Sequence, residues 1–315
     1  MKKILTFIVL VSVLLSSCAP KMGKTETATI RIAVIPVIDT LPIFVAQSEG
    51  LFEKNNIKVE IIPVASAPER DQLLQAGQAD GTLNETLSVI LFNKENIQMQ
   101  VVRYGLMANE KSGHFFILAS GKSGITSAEE LKGVDIGISQ GTIIDYVTTK
   151  LLEMKGFSAS EIKTIAVPKI SDRMALLSSG ELKAAVMPDP LATLAVQQGA
   201  KIILDDTQNP QLGASVLSFR KSFIDDNPAT VKAFLSSIET SVEHINSNPE
   251  DYGNVLSENK MVPPPLIGKY AIPTFPTKGV PSEQEWNDVI GWAKISNLVS
   301  ADISYSDSVN ATLLP

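Results

Sequence analysis

The chain has 315 residues, with 27 basic against 34 acidic side chains, a net charge of −7, and a single cysteine. An acidic body of this kind argues against a nucleic-acid or broad anionic-lipid surface, and one cysteine excludes an internal disulfide. The length suits two lobes rather than one core, and no low-complexity segment or short repeat is present.

The N-terminus reads as an export signal. Lys2 and Lys3 precede a predominantly apolar run of twelve residues, Ile4 to Leu15, and small residues follow. The run is too short to span a membrane, which takes ~20 apolar residues. Leu15-Ser16-Ser17-Cys18 has the layout of a bacterial lipobox, so residues 1–17 are expected to be removed and Cys18 lipidated. The alternative is an ordinary signal peptide with an incidental cysteine. Residues 18–29 are polar and aperiodic, a flexible tether. The mature chain then carries 25 basic against 34 acidic side chains, a net of −9. The expected location is the extracytoplasmic face of a cell membrane, held by lipid.

Strand and helix signals then alternate. Ile30–Val37 is β-rich, and Asp39-Thr40 opens a helix over Leu41–Glu49 that Gly50 closes. Lys58–Val64 reads as a strand, Ala67–Ala76 as a helix, Asp80–Leu83 as a strand, Glu85 to about Phe92 as a helix, and Met99–Tyr104 as a strand. The pattern restarts with the apolar run His114–Ser120, a short helix Ala128–Gly133 and a strand Val134–Ser139. A helix Thr142–Lys155, a strand Lys163–Val167 and a helix Ser171–Ser179 follow. Ala184–Met187, Pro190–Gln198 and Lys201–Leu204 complete this second set. After Gly213–Phe219 the chain is mostly helical, with Val231, Phe234, Leu235, Ile238 and Val242 on one face of Pro228–Asn246. Strands separated by helices of this length indicate parallel sheets. The expected organisation is a discontinuous first lobe (30–113 plus 219–315) and an inserted second lobe (120–211), hinged near 113–120 and 213–219.

Five stretches in order carry a resemblance. They are Pro42 to Phe52 with Val59-Glu60-Ile61, Leu73 to Asp80, Leu131 to Ile138, Ala175 to Ala185, and Phe223 to Leu235 with Asn227-Pro228. Together they resemble the solute-binding proteins of ABC importers, in the branch serving nitrate, sulfonates, taurine and thiamine pyrimidines. The resemblance implies the type II periplasmic-binding-protein fold, two α/β lobes joined by extended crossings. It also implies a small-molecule ligand, membrane permease subunits as partners, and a monomer that makes or breaks no bond; the alternative on the same fold is a ligand-sensing lipoprotein that partners a membrane signalling protein. The aromatic residue usual before the Pro42 position is absent, Val37 to Leu41 standing there, and so is the cysteine-rich motif of the eukaryotic pyrimidine-synthesising relatives.

Ligands in open α/β lobes sit beyond the carboxyl ends of strands, at helix N-termini. That rule selects Asp39, Thr40 and Leu41, then Ser66, then Asn84 and Glu85 in the first lobe. In the second it selects Ser139, Gln140, Gly141 and Thr142, then Asp189 between two prolines. Several of these are equally good helix caps: Asp39, Thr40, Ser139 and Thr142 by their oxygens, Asp189 by the following Pro190, and Glu85 as a first-turn acid. Arg103, ending an apolar strand, either grips an acidic ligand group or serves a structural ion pair. His114 reads as a satisfied crossing histidine and His244 as solvated. Two distant histidines and Cys18 cannot assemble a zinc site or a Cys/His nucleophile, so no metal or cofactor is expected, and an enzyme on the same scaffold would need a reactive constellation that the sequence does not display. Three candidate acids against one candidate base favour a ligand with N–H donors, such as a nitrogen heterocycle, over a small oxyanion.

Overall fold

Two five-stranded sheets organise the computed structural model, which describes residues 28–315. The expected signal segment, Cys18 and most of the tether lie outside the described residues. In chain order the strands are β1 (Thr29–Val34), β2 (Lys58–Pro63), β3 (Gly81–Glu85), β4 (Met99–Tyr104) and β5 (Phe115–Ala119). They continue with β6 (Asp135–Ile138), β7 (Lys163–Ala166), β8 (Ala184–Pro188), β9 (Lys201–Asp205) and β10 (Ser215–Arg220). The principal helices are α1 (Leu41–Ser48), α2 (Ala67–Gln75), α3 (Thr86–Phe92), α4 (Ile143–Met154), α5 (Ile170–Ser179), α6 (Leu191–Gln197), α7 (Pro228–Ser247) and α8 (Glu283–Ile295). No helix among the described residues is long and apolar enough to cross a membrane.

The first sheet has the order β2-β1-β3-β10-β4 and the second β7-β6-β8-β5-β9. Each is parallel except for one antiparallel strand, β10 in the first and β5 in the second. Helices follow the parallel strands because a parallel connection must cross a sheet face, and a helix is the short way to cover that face.

The strands β5 and β10 correct the expected hinge. The sequence places the hinge near 113–120 and 213–219, yet Phe115–Ala119 and Ser215–Arg220 are strands inside the sheets. The run Phe-Phe-Ile-Leu-Ala would leave apolar side chains in water if it bridged two lobes, whereas between β8 and β9 it is largely buried. The chain passes between sheets in residues 105–114 and 206–214, which lie side by side. The Gly105 and Ser215 backbones meet at 2.7 Å and Ser215 N donates to Leu106 O at 2.9 Å. Both crossings carry a glycine with no room for a side chain. A Cβ on Gly105 would stand 2.6 Å from Ser215 Oγ, and one on Gly213 would stand 2.5 Å from the Phe115 ring.

The long helix α7 buries the expected residues Val231, Phe234, Leu235, Ile238 and Val242. Phe234 stacks on Phe52 at 5.5 Å and meets the edge of Phe219 at the same distance, fastening α7 to the sheet through β10. At the amino ends of the strands, Asp80 accepts from Arg31 Nη2 at 2.7 Å and Arg220 Nη2 at 2.8 Å, which ties β1, β3 and β10 together. On one flank the two lobes touch directly, with Tyr146 of α4 edge-on to Trp292 of α8 at 5.6 Å.

Candidate functional site

The carboxyl ends of both sheets converge beside the crossings, and acids gather there. After β1 the backbone turns through Pro36 and Val37 into a short 3-10 helix, Ile38–Thr40, held by the Thr40 hydroxyl donating to Val37 O at 2.7 Å. This turn aims Asp39 at the start of β5. Its Oδ2 lies 3.0 Å from His114 Nε2, and His114 Nδ1 lies 2.8 Å from Gly213 O. The His114 backbone N–H donates to Asp206 Oδ1 at 2.8 Å, so one histidine ties the loop after β1 to both crossings.

Burial opposes charge on both members of the Asp39–His114 pair, and their mutual attraction outweighs it. Asp39 is held below the ordinary carboxylate range and His114 is raised to about 9, helped by Asp206 and the Gly213 carbonyl. The result is a buried imidazolium donating from both nitrogens. Asp206, with no second cation, is pushed upward by burial.

Two further expected acids join the cluster. Asp189 leaves β8 with its backbone N–H on His114 O at 3.0 Å, and its Oδ1 caps α6 by accepting from Thr193 N at 3.0 Å and Thr193 Oγ1 at 2.7 Å. Glu85 ends β3 as the N-cap of α3, rather than a first-turn acid. Its carboxylate is 3.8 Å from Arg70 Nη1 and accepts from Ser88 at 3.2 Å. Burial raises the Glu85 pKa, with Asp71 and Asp39 adding repulsion against the pull of Arg70. Tyr270, from the segment before α8, stands close to Asp189 and feels Asp39. Burial and those charges raise its phenol far above the ordinary value, so it is a permanent donor. Asn84 is fully buried, with Oδ1 accepting from Ser218 Oγ at 2.8 Å and its amide nitrogen without a partner among the described residues.

The remaining expected residues are placed differently. Thr142 Oγ1 donates to Ser139 O at 2.7 Å and caps Ile144 N at 3.2 Å, while Gly141, at φ +70°, gives its N–H to Asp145 at 2.9 Å. Ser139 donates to Pro168 O at 3.1 Å, and Gln140 is exposed. The stretch from Ser139 to Thr142 is thus a helix start that uses most of its own polar groups. A cavity of about 250 Å³ touches the two helix starts at Thr86 and Ile143. Leu41 packs into the first lobe's core, and Ser66 caps α2 at the surface. Arg103 commits four of its five N–H donors within the first lobe. Nε and Nη2 hold Glu239 at 2.7 and 3.3 Å, Nη2 also holds Pro276 O at 2.7 Å, and Nη1 holds Tyr104 O. His244 is half exposed but not purely solvated, with Nδ1 2.7 Å from Glu49.

The sequence reading missed Tyr270, Asp206 and Arg173. Arg173, on α5, is fully buried, and its Nη1 reaches Ser139 Oγ at 2.9 Å and Val167 O at 3.0 Å. No local signal marks Arg173, because its partners Ser139 and Val167 lie on other elements. Among the described residues no group of three or more His, Cys, Asp or Glu side chains is arranged to hold a metal ion.

This frame, two mixed sheets with helices on their faces, is that of the periplasmic binding proteins. The chain belongs to the NMT1/THI5 like family, whose profile matches residues 38–252. A putative thiamine biosynthesis protein of Haemophilus influenzae is 25% identical over 216 residues, covering 68% of this chain and 67% of that one. A putative aliphatic sulfonates-binding protein of Escherichia coli is 22% identical over 244 residues, covering 76% and 75%. In structure the chain is similar to the alkanesulfonate-binding protein of Xanthomonas axonopodis bound to MOPS, with TM-score 0.76 and 15% identity over 90% of this chain and 99% of that one. A desulfurization enzyme shares the fold at TM-score 0.69 and 12% identity, covering 90% and 97%.

Proposed function

We propose that the chain is the extracytoplasmic solute-binding receptor of an ABC importer, capturing a small organic solute between its two lobes. The observation that carries this reading is the meeting of Asp39, Glu85 and Tyr270 from the first lobe with His114 of the first crossing and Asp189 of the second lobe. A solute bridging these groups would favour the closed arrangement, because it gains contacts to both lobes only there. The ligand class is a nitrogen heterocycle such as a thiamine-type pyrimidine, or a sulfonate of the taurine type. One relative named for thiamine biosynthesis and one named for binding aliphatic sulfonates lend support to the two classes. Permease subunits would recognise the closed monomer.

The role is binding rather than turnover. His114 has both ring nitrogens committed, to Asp39 and to Gly213 O, so its imidazole does not act as a free base. The test is a thermal-shift and small-angle scattering panel on the full chain with sulfonates, nitrate, pyrimidines, flavins and amino acids. At least one compound should raise the midpoint and shrink the radius of gyration while remaining chemically unchanged. A panel with no response, or one showing turnover, overturns the reading.

A further inference from the structure

Arg173 is the largest unbalanced charge inside the second lobe. The guanidinium is fully buried, one nitrogen is hydrogen-bonded to Ser139 and Val167, and Nε and Nη2 have no partner among the described residues. The other fully buried arginines differ in this. Arg70 is paired with Asp71 and Arg103 with Glu239. A guanidinium is a weakly hydrated, rigid fork that is costly to bury unless a planar anion fills it. Burial alone pulls its pKa down, to about 10, with no carboxylate contributing in the opposite direction.

Its place in the fold is as informative as its isolation. Ser139 follows the last residue of β6 and Val167 the last residue of β7, so the guanidinium sits at the carboxyl ends of two parallel strands. Strand β8, which delivers Asp189 to the acid cluster, is the other neighbour of β6. Adjacent strands lie about 4.8 Å apart, so Arg173 stands at the same rim of the second sheet as the candidate site. Ser139 Oγ donates to Pro168 O and accepts from Arg173, which fixes one edge of the fork and leaves the other unused.

We propose that Arg173, oriented by Ser139, is the specificity-determining residue that holds an oxyanion group of the captured solute, whether carboxylate, sulfonate or phosphate ester. This inference rests on the receptor reading and narrows its ligand class. The solute carries a negative group for Arg173, in addition to whatever N–H donors face Asp39 and Asp189. It also revises the balance of acids over bases that the sequence suggested, since the base that matters was hidden in a helix.

The test compares the full chain with its Arg173→Met and Arg173→Lys forms by calorimetric titration. The probes are 2-aminoethanesulfonate, 3-aminopropanoate, O-phosphoethanolamine and a pyrimidine phosphate, each beside its neutral analogue. The wild type should bind at least one anionic probe and not its neutral analogue. Arg173→Met should weaken that binding about 100-fold, as loss of a charge-assisted fork does, and Arg173→Lys by less. Without ligand, Arg173→Met should melt no lower than the wild type, because an uncompensated buried charge has been removed. A purely structural arginine would give the opposite. If Arg173→Met does not fold, Arg173→Lys decides the matter, since it keeps the charge and should retain measurable selectivity for the anion. Equal binding of an anionic probe and its neutral analogue by the wild type, or unchanged affinity in a folded variant, overturns the assignment and leaves the receptor reading standing. Silence of the wild type toward every solute class removes both.

Discussion

His114 concentrates the residue-scale physics of this molecule. Its folded-state pKa is raised to about 9 from an ordinary 6.5 by Asp39, Asp206 and the Gly213 carbonyl against the opposing effect of burial. A raised pKa contributes stability that is fully present below pH 6.5 and is lost as pH climbs through 9. Asp39, whose pKa is lowered from 3.8, contributes in the opposite sense and loses its share as pH falls through the acid range. The pair is therefore intact through neutrality. Urea unfolding of the wild type should lose a few kcal/mol between pH 7 and 10, and His114→Gln should flatten that decline. Equal slopes for the two proteins would show that the pair does not form. The groups facing the ring are Asp39, Asp206, Gly213 O and the Phe115 ring, and none but the acids titrates below pH 9.

At the scale of elements, the βα alternation was legible because each unit carries its own local grammar. The apolar run, the polar turn and the glycine stop appear in sequence, as at Gly180, where φ is +85°. What was not legible depends on partners far along the chain. Arg103 looked available because its counter-ion, Glu239, is 136 residues away. Arg173 looked like an ordinary polar helix residue because the hydroxyl that orients it, on Ser139, is 34 positions earlier. Phe115–Ala119 is apolar whether it bridges lobes or pairs in a sheet, so spacing alone misplaced the hinge. The acids at the ends of β1, β3 and β8 could be placed because strand ends are local features, while the pairing of Asp39 with His114 joins distant parts of the chain. The crossings yield a test at this scale. Gly213→Ala must push Phe115 or Asp206 aside, and should lower the unfolding free energy by about 1–3 kcal/mol in a chemical melt. A neutral result would mean that the paired crossings are looser than their contacts indicate.

For the whole molecule, the two sheets share one plan, in which three parallel strands are followed by an antiparallel strand that begins where a crossing ends. Tethering through Cys18 would keep such a receptor beside its permease on a polar leader of residues 18–29. Membrane fractionation of expressing cells should find the wild type in the pellet and Cys18→Ser released, and a wild type in the soluble fraction would refute the anchor.

The side-by-side crossings make the second lobe a plug-in cassette. Residues 115–205 enter and leave the first lobe through neighbouring backbone, with Leu106 bonded to Ser215 and His114 to Asp206. An inserted segment whose two ends meet is one that can be lifted out, exchanged for a relative's, or replaced by a reporter domain without stretching the host. The same doorway is where bending would be felt, so a fluorescent insert there would report solute capture as a change in light.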